Sequence, residues 1–179
     1  MIIVGIDPGQ QGSIAFIDMK KKKEWIEDMS LLPENVINAN YLYNLISNQK
    51  DVCQRIYVFL EKAQAMPGQG SVSMFNYGTG YGKILAVLEI LGLSFEEVRP
   101  NKWKTEFGLS GLKKTNKKEK MTKEEKTAAK KQRKEMAVKT AMQMFPRLKN
   151  EFYTSKGKML DGRAEALLIA AYGVRKVGG

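Results

Sequence analysis

The sequence predicts an α/β fold in which helices flank a five-stranded mixed sheet, an antiparallel meander joined to parallel strands. Three observations predict it. Three short strand-like runs with tight links open the chain, which is typical of a meander. The later run "RIYVFLE" is continuously β-rich and indicates a buried strand. Helical stretches then separate and follow the remaining strands. A chain of 179 residues without an internal repeat or linker predicts a single domain over 1–179.

The predicted strands follow one another in a simple order. The first covers residues 2–7, the second covers residues 12–18 after a tight turn, and the third lies around 24–29. "RIYVFLE" forms the fourth strand. "SFEEVRP" forms the fifth, which ends before Pro100 because proline lacks the N–H that a strand ladder needs.

The predicted helices lie between and after these strands. "NANYLYNLISNQK" has apolar residues at helical spacing, with Asn38 or Asn40 as N-cap. A long helix follows the loop "KAQAMPGQGS" and reaches about residue 91, and a short helix surrounds Trp103. Another helix runs from about residue 123 to near Pro146. The last stretch, "MLDGRAEALLIAAYGVRK", is apolar nearly all round, so we expect a buried helix.

Composition excludes several classes of chemistry. Histidine is absent, which excludes Ser-His catalysis, histidine bases and histidine-ligated metals. Cys53 is the single cysteine, so an internal disulfide and a common zinc site are excluded. The opening apolar run is too short for a signal peptide, and no run approaches the roughly 20 apolar residues of a membrane span. We therefore expect a cytoplasmic protein without membrane contact.

The charge of the chain predicts a polyanionic partner. The formal net charge is +11 and the isoelectric point about 9.6. Nucleic acid is the commonest partner of such a protein, although merely basic soluble proteins share this property.

Two acids end two of the predicted strands. Asp7 follows the first apolar run and Glu61 follows the fourth. Asp7 could simply start an Asp-Pro-Gly turn. If the two strands are parallel neighbours, however, their ends lie about 5 Å apart. Two carboxylates that close repel each other unless a cation lies between them.

Two further acids lie on the final helix. Asp161 and Glu165 are four residues apart and share a helix face. Asp161 could be the N-cap of this helix. Glu165 shares its face with Leu168 and Ile169, so it points toward the core, and no Arg or His is an obvious partner for it. A buried unpaired carboxylate costs several kcal/mol, so a cation is expected to compensate it.

Together the four acids predict a hard, oxygen-rich metal site. Mg²⁺ or Mn²⁺ suits such a ligand set. Two ions about 4 Å apart stabilise the entering and leaving oxygens of a phosphoryl displacement, with Asp7 as the bridging ligand.

Several motifs taken in order resemble the RuvC-type Holliday junction resolvases of the RNase H-like nuclease superfamily. They are "GIDPGQQGSIAF", "VFLEKAQ" and "DGRAEALLIAAY", together with the basic segments "RPNKWKTEFGLSG" and "AKKQRKEMAVKTA". The resemblance spans nearly the whole chain, apart from a lysine-rich insertion. Phage and viral members are more similar than the cellular enzymes, which implies the cytoplasm of a bacterial cell or of a phage-infected host.

The resemblance implies an RNase H-like fold and a two-metal endonuclease that cuts four-way DNA junctions as a homodimer. Asp7, Glu61 and Glu165 match metal-binding acids of the family. Asp161 departs from the pattern, since cellular members space the last two acids by three residues and place Asp second. Lys104 and Lys130 fall where the family has DNA-contacting lysines.

Aromatic and glycine residues after the fourth strand extend the predicted DNA surface. Phe75 and Tyr77 follow a Pro-Gly loop and could stack on an unpaired base, although such aromatics more often belong to a core. Gly78 and Gly82 weaken a helix unless another backbone or DNA approaches closely. A broken helix is the alternative. The helix around residues 82–91 is the predicted dimer interface.

The lysine-rich insertion, at about 112–128 and expected to be mobile, predicts a phosphate-binding arm. Residues 113–134 contain ten lysines and one arginine against three glutamates. Such a run could equally be a solvated surface. The predicted DNA contacts in and beyond it are Lys113, Lys114, Lys117, Lys118, Lys130 and Lys131.

Other functions remain open from the sequence. Another RNase H-like nuclease acting on flaps, forks or RNA–DNA hybrids would carry the same acids. A non-catalytic junction-binding protein would share the charge. "GIDPGQQGS" also resembles the first phosphate loop of actin-like ATPases and sugar kinases, but those need two facing domains.

Overall fold

A five-stranded mixed sheet forms the centre of the molecule. The computed structural model describes residues 1–53, 55–64, 70–110 and 122–178. The strands are β1 Ile2–Ile6, β2 Ser13–Asp18, β3 Lys23–Asp28, β6 Ile56–Glu61 and β7 Ser94–Val98. Their order across the sheet is β3-β2-β1-β6-β7.

The pairing of these strands confirms the predicted mixed sheet. β1, β2 and β3 form an antiparallel meander, whereas β1 pairs in parallel with β6, and β6 in parallel with β7. Ile6 of β1 lies opposite Leu60 of β6. The next residues, Asp7 and Glu61, therefore lie at the same edge of the sheet.

Helices cover both faces of the sheet, as predicted. Alternate strand residues pack into two separate cores: Ile2, Val4 and Ile6 face one, and Ile3 faces the other. The helices are α1 Ala39–Val52, α2 Ser71–Ile90, α3 Pro100–Glu106, α4 Lys123–Met144 and α5 Asp161–Gly178. The first face is covered by α1 and α2, and the second by α3, α4 and α5. Among the described helices, none is long and apolar enough to cross a membrane.

Side-chain caps fix where two of these helices begin. Asn38 is the N-cap of α1, and its side chain accepts a hydrogen bond from the Tyr41 N–H. Thr122 caps α4 in a reciprocal box with Glu125. The part of the predicted insertion from 122 to 128 is thus the start of α4. Residues 111–121, which include Lys113, Lys114, Lys117 and Lys118, lie outside the described residues.

A small hairpin between β3 and α1 is a feature that the sequence did not predict. β4 Leu31–Leu32 pairs antiparallel with β5 Val36–Ile37 across a 3₁₀ turn, Pro33–Asn35. Glu34 and Asn35 both have positive φ, at 63° and 59°. Consecutive non-glycine residues in this region are uncommon.

A glycine in β1 lets the last helix lie directly on the central strand. A Cβ at Gly5 would overlap the backbone carbonyl oxygen of Ala166 and the backbone nitrogen of Ala170. Because no side chain separates them, α5 and β1 are held at backbone contact. This contact fixes Asp161 and Glu165 relative to Asp7.

Candidate functional site

Asp7 lies at the centre of the candidate site. It follows the last residue of β1, and it is partly buried. Burial raises the pKa of its carboxyl well above the usual value, and the negative charges of Glu165 and Glu61 raise it further. A hydrogen bond from the Gly9 N–H opposes this shift. Three acids from β1, β6 and α5 are therefore close enough to repel one another.

Glu61 is held by a tryptophan. It ends β6, and its Oε2 accepts a hydrogen bond of 2.8 Å from Nε1 of the fully buried Trp103. Burial raises the pKa of Glu61, and the charge of Glu165 adds to this, whereas Lys104 and the Trp103 bond act in the opposite direction. The indole of Trp103 thus fixes one carboxylate oxygen of Glu61, whose charged form is disfavoured by burial.

Glu165 is paired with Lys104, which corrects the expectation that it lacks a partner. Lys104 Nζ lies 3.2 Å from Glu165 Oε1, and the side chains are 29% and 16% exposed. The ammonium also lies 4.8 Å from the centroid of the Trp103 ring. The lysine that balances the charge of Glu165 comes from α3, 61 residues earlier in the chain. Lys104 therefore lies within the acid cluster.

Asp161 is the first residue of α5, so it is not the N-cap. Its Oδ2 lies 2.5 Å from Nζ of Lys134 on α4. Asp161 is not among the charges that shift the pKa of Asp7. The start of α5 is nevertheless close, because a Cβ on Gly162 would lie 3.2 Å from Asp7 Oδ2.

The donor chemistry of this cluster fits a divalent cation. Among the described residues, no three acidic side chains already form a group that would hold one ion. Glu61, Glu165 and Asp161 instead direct oxygens toward Trp103, Lys104 and Lys134. Oxygen ligands are nevertheless the ones that Mg²⁺ and Mn²⁺ prefer. A cation would also relieve the repulsion that raises the pKa of Asp7.

Tyr77 lies beside the acids, and Phe75 lies further out. Burial and the charges of Asp7 and Glu61 raise the pKa of the half-buried Tyr77 to about 12. Phe75 is 74% exposed on α2, so it is not a core residue. This placement leaves Phe75 accessible to a ligand near the site.

The predicted lysines of α4 are exposed near the start of that helix. Lys130 and Lys131 both face solvent, and Lys131 makes only a long 3.9 Å ion pair with Glu135. Lys134, one turn further along, reaches Asp161. The lysines of α4 thus extend from the exposed Lys130 and Lys131 to Lys134, which contacts the acid cluster at Asp161.

Sequence reasoning missed two residues of the site, Trp103 and Lys134. The sequence predicts a short helix around Trp103, and the position of Trp103 beside Lys104 is the signal that points to a role in the site. Lys134 belongs to a run of similar lysines, and nothing in that run distinguishes it.

Comparison with known proteins gives the class of fold first. The mixed sheet with helices on both faces is RNase H-like, and more narrowly it is the fold of the RuvC Holliday junction resolvases. The Thermus thermophilus RuvC structure with its Holliday junction substrate matches 99% of this chain and 97% of that chain, at a TM-score of 0.54 and 14% identity. A second T. thermophilus RuvC structure covers 98% and 96%, at a TM-score of 0.48 and 14% identity. No family model and no curated protein matches the sequence.

Replacing Trp103 with Phe tests whether the indole positions Glu61. Loss of the hydrogen bond at Nε1 is expected to raise the Mg²⁺ or Mn²⁺ concentration that half-saturates the acid cluster by about 10–100-fold, as loss of a supporting hydrogen bond at a metal site typically does. Calorimetric titration of the metal-free protein with each ion measures this.

The matched control is Trp25→Phe, because Trp25 lies on β3 and stacks on Phe16. Both variants lose indole packing, but only Trp103→Phe should change the metal dependence. Equal metal titrations in the two variants would contradict the positioning role.

Proposed function

We propose that this chain is a metal-dependent, structure-selective endonuclease that cleaves phosphodiester bonds in branched DNA, with the four-way junction as its substrate. The observation that carries this proposal is the gathering of Asp7, Glu61 and Glu165 at one edge of the sheet. The chain contains no histidine that could supply hydrolytic chemistry instead. The RuvC fold, seen elsewhere with a Holliday junction, supports the substrate class.

The roles of the residues follow from their placement. The four acids would hold two Mg²⁺ or Mn²⁺ ions: Asp7, Glu61, Asp161 and Glu165. Such ions lower the pKa of bound water and stabilise both oxygens of an in-line displacement at phosphorus. Trp103 orients Glu61, and Lys104 and Lys134 balance the charge of Glu165 and Asp161.

The direct test is a panel of labelled substrates with Mg²⁺, with Mn²⁺ and with EDTA. The panel contains a four-way junction, a flap, a fork, an RNA–DNA hybrid and a linear duplex. Cleavage of the junction at symmetrically related positions, only with metal, is expected. Faster cleavage of the flap, fork or hybrid would assign the site to another RNase H-like nuclease. Tight junction binding without cleavage under any metal would indicate an architectural protein.

A homodimer is part of this proposal, because two sites are needed to cut opposed strands. The continuous helix α2 presents Gly78, Gly82, Ala86 and Ile90 at four-residue spacing, which places them on one face. No atom lies within 4 Å of a Cβ built on Gly78 or Gly82, and Ile90 is 73% exposed. This face of α2 is open to a second copy of the chain.

Sedimentation tests the dimer. The wild-type chain is expected to sediment as a dimer at micromolar concentration, and Ile90→Asn is expected to shift it toward monomer. Val72→Asn is the matched control, since Val72 is also 73% exposed on α2 but lies at the opposite end of the helix, before Gly78. A wild-type monomer that still cleaves junctions symmetrically would contradict the dimer.

Removal of lysines from the insertion tests the DNA-binding arm. Replacing Lys113, Lys114, Lys117 and Lys118 with Gln is expected to flatten the plot of log affinity against log salt by about two to four units, because each lost phosphate contact on duplex DNA contributes roughly 0.9. Binding to linear duplex and to junction should weaken alike, since phosphate contacts do not read sequence. Cleavage at saturating DNA should persist.

A charge-matched control is available at the other end of the sheet. Lys20, Lys21, Lys22 and Lys23 are exposed around the β2–β3 turn, at the edge opposite the acids. Changing all four to Gln removes the same charge and should leave the salt slope near the wild-type value. Equal slopes in both quadruple variants would show that the insertion is only a solvated surface.

A further inference from the structure

An arginine lies between the two acids of α5, in the motif "DGRAEALL". An exposed arginine beside a DNA site is a candidate for a phosphate contact, but Arg163 is engaged elsewhere. Its Nε and Nη2 each donate a 2.7 Å hydrogen bond to one carboxylate oxygen of Asp28, the last residue of β3. Its Nη1 donates to Glu151, at 2.9 Å to the backbone oxygen and at 3.1 Å to Oε2. Within the described part of the chain, these bonds use four of the five N–H groups of the guanidinium.

Asp28 links this arginine to the backbone at Asp7. Ser13 begins β2, lies opposite Asp28 in the sheet and is 1% exposed. Its hydroxyl donates a 3.3 Å hydrogen bond to Asp28 Oδ1, and its backbone oxygen accepts a 3.0 Å hydrogen bond from the Asp7 N–H. A continuous set of hydrogen bonds therefore runs from Asp7 to the first turn of α5. We call the four residues that join these elements the clasp: Ser13, Asp28, Glu151 and Arg163.

The clasp has the geometry that makes a surface ion pair strong. Most exposed pairs contribute little to stability, whereas a bidentate arginine–carboxylate pair and a network of several charges are the exceptions. Arg163 has both, and its side chain is 21% exposed. The hydrogen bonds from Arg163 hold the pKa of Asp28 below its usual value. Asp28 therefore stays charged and keeps its hold on the arginine at neutral pH.

The clasp holds the side of α5 that faces away from the acids. Because an α-helix turns by about 100° per residue, Arg163 projects roughly 200° round from Asp161 and as far from Glu165. Their partners differ accordingly, since the acids meet lysines of α4 and α3 whereas Arg163 meets β3. A side chain ends about 5–6 Å from the helix axis, so a rotation of about 10° would move a carboxylate by about 1 Å. Groups of a functional site must be held within about 0.5 Å.

Other contacts of α5 restrain its distance from the sheet more than its rotation. A Cβ on Gly162 would overlap the backbone oxygen of Gln11, so the helix lies directly on the loop after β1. A glycine has no side chain that would resist turning about the helix axis. The lysines that meet the acids are flexible and make single contacts, whereas the rigid fork of a guanidinium fixes direction as well as distance.

We propose that Arg163 is a positioning residue of the acid cluster: through the clasp it sets the rotation of the first turn of α5, and with it the placement of the two acids of α5 relative to Asp7. The inference rests on the proposed function, since it concerns the ions that these acids would hold. It assigns Arg163 no contact with DNA and none with a metal ion.

Calorimetric titration of the metal-free protein with Mn²⁺, without DNA, tests this role. Arg163→Gln is expected to weaken Mn²⁺ binding about tenfold or more, as loss of an outer support of a metal site does. Arg163→Lys should weaken it by a similar factor, because an ammonium keeps the charge but cannot reproduce the bidentate fork. Asp28→Asn should act in the same way, and it provides the test if the Arg163 variants do not fold. The double variant Asp28→Asn/Arg163→Gln should bind no more weakly than Arg163→Gln, because both changes break one interaction.

The matched control is Arg175→Gln, in the last turn of the same helix. Arg175 Nη1 also donates to a carboxylate and to a backbone oxygen, those of Glu106, at 2.8 and 3.4 Å. Loss of this pair should leave the Mn²⁺ affinity unchanged. An equal loss of affinity in Arg175→Gln would show that the effect is general destabilisation and would overturn the positioning role. Wild-type affinity in both Arg163→Gln and Asp28→Asn would overturn it as well, and would leave the proposed function intact.

Junction binding in EDTA distinguishes positioning from a phosphate contact. Arg163→Gln is expected to keep the wild-type dependence of log affinity on log salt, whereas loss of a phosphate contact would flatten the slope by about 0.9. A flattened slope that Arg163→Lys restores would assign Arg163 to the DNA and overturn the inference. Failure of the wild type to bind Mn²⁺ and to cleave any branched DNA would overturn the proposed function and this inference with it.

Discussion

Replacing Asp7 with Asn is expected to slow junction cleavage at least about a thousandfold, which corresponds to roughly 4 kcal/mol in the barrier. Asp7 follows the last residue of β1, is only partly exposed, and lies close to the charges of Glu61 and Glu165. Asn retains the shape and still accepts the Gly9 hydrogen bond, so the loop after β1 should be unchanged. Junction binding should persist or tighten, since one negative charge facing the DNA phosphates is removed. Single-turnover cleavage and a binding titration measure the two effects.

The same variant has an expected effect on stability, with a defined pH dependence. The pKa of Asp7 in the folded protein is raised above its value of 3.8 in the unfolded chain. A raised pKa favours folding while the group is protonated, and this contribution is lost as pH rises through the folded-state pKa. Asn has no carboxyl group that can ionise. The metal-free Asp7→Asn protein should therefore melt at a higher temperature than the metal-free wild type at neutral pH. The difference should vanish as the pH approaches 4.

The remaining acids provide comparisons. Glu61→Gln and Glu165→Gln are expected to abolish cleavage as Asp7→Asn does, and Asp161→Asn to have the smallest effect of the four. Asp51→Asn, on the exposed end of α1, is the control that should cleave normally. Near-normal cleavage by Asp7→Asn would show that Asp7 is not a metal ligand.

Replacing Gly5 with Ala is expected to destabilise the fold by about 3 kcal/mol or more, because the added methyl group overlaps the backbone of α5 at Ala166 and Ala170. Backbone atoms cannot move aside as a flexible side chain would. For a chain of this size the loss corresponds to roughly 6–12 °C in melting temperature. Thermal unfolding followed by circular dichroism measures it.

Gly78→Ala is the control for this substitution. Gly78 lies within α2, and no atom lies within 4 Å of its added Cβ. Alanine there should stabilise the helix by up to about 1 kcal/mol. Equal melting temperatures for Gly5→Ala and wild type would mean that α5 does not rest on β1 at backbone contact.

The sheet and the acids at its edge were predictable from local pattern. The hydrophobic periodicity and the residue composition predict the strands. The parallel pairing of β1 with β6 then brings Asp7 and Glu61 to one edge of the sheet. The four-residue spacing of Asp161 and Glu165 places them on one side of α5. These features depend on residues that are neighbours in the chain, together with one pairing of two strands.

The partners of these acids were not predictable. Lys104 meets Glu165, and Lys134 meets Asp161, only because α3 and α4 pack against α5 in three dimensions. The hairpin that begins at Leu31–Leu32 was not predictable either, because a two-residue strand is too short to show an alternation of apolar and polar residues. The left-handed turn at Glu34 and Asn35 contains no glycine, so the sequence has no residue there that predicts a positive φ.

The lysine partners give the acid cluster its own counter-ions. Many metal sites assemble only with their ion, since bare ligands repel one another and folding free energy comes from metal binding. Here Lys104 and Lys134 already offset the charges of Glu165 and Asp161, and Trp103 holds Glu61. It follows that the folded chain already compensates these charges without an ion, so we expect removal of divalent metal with EDTA to leave its melting temperature unchanged.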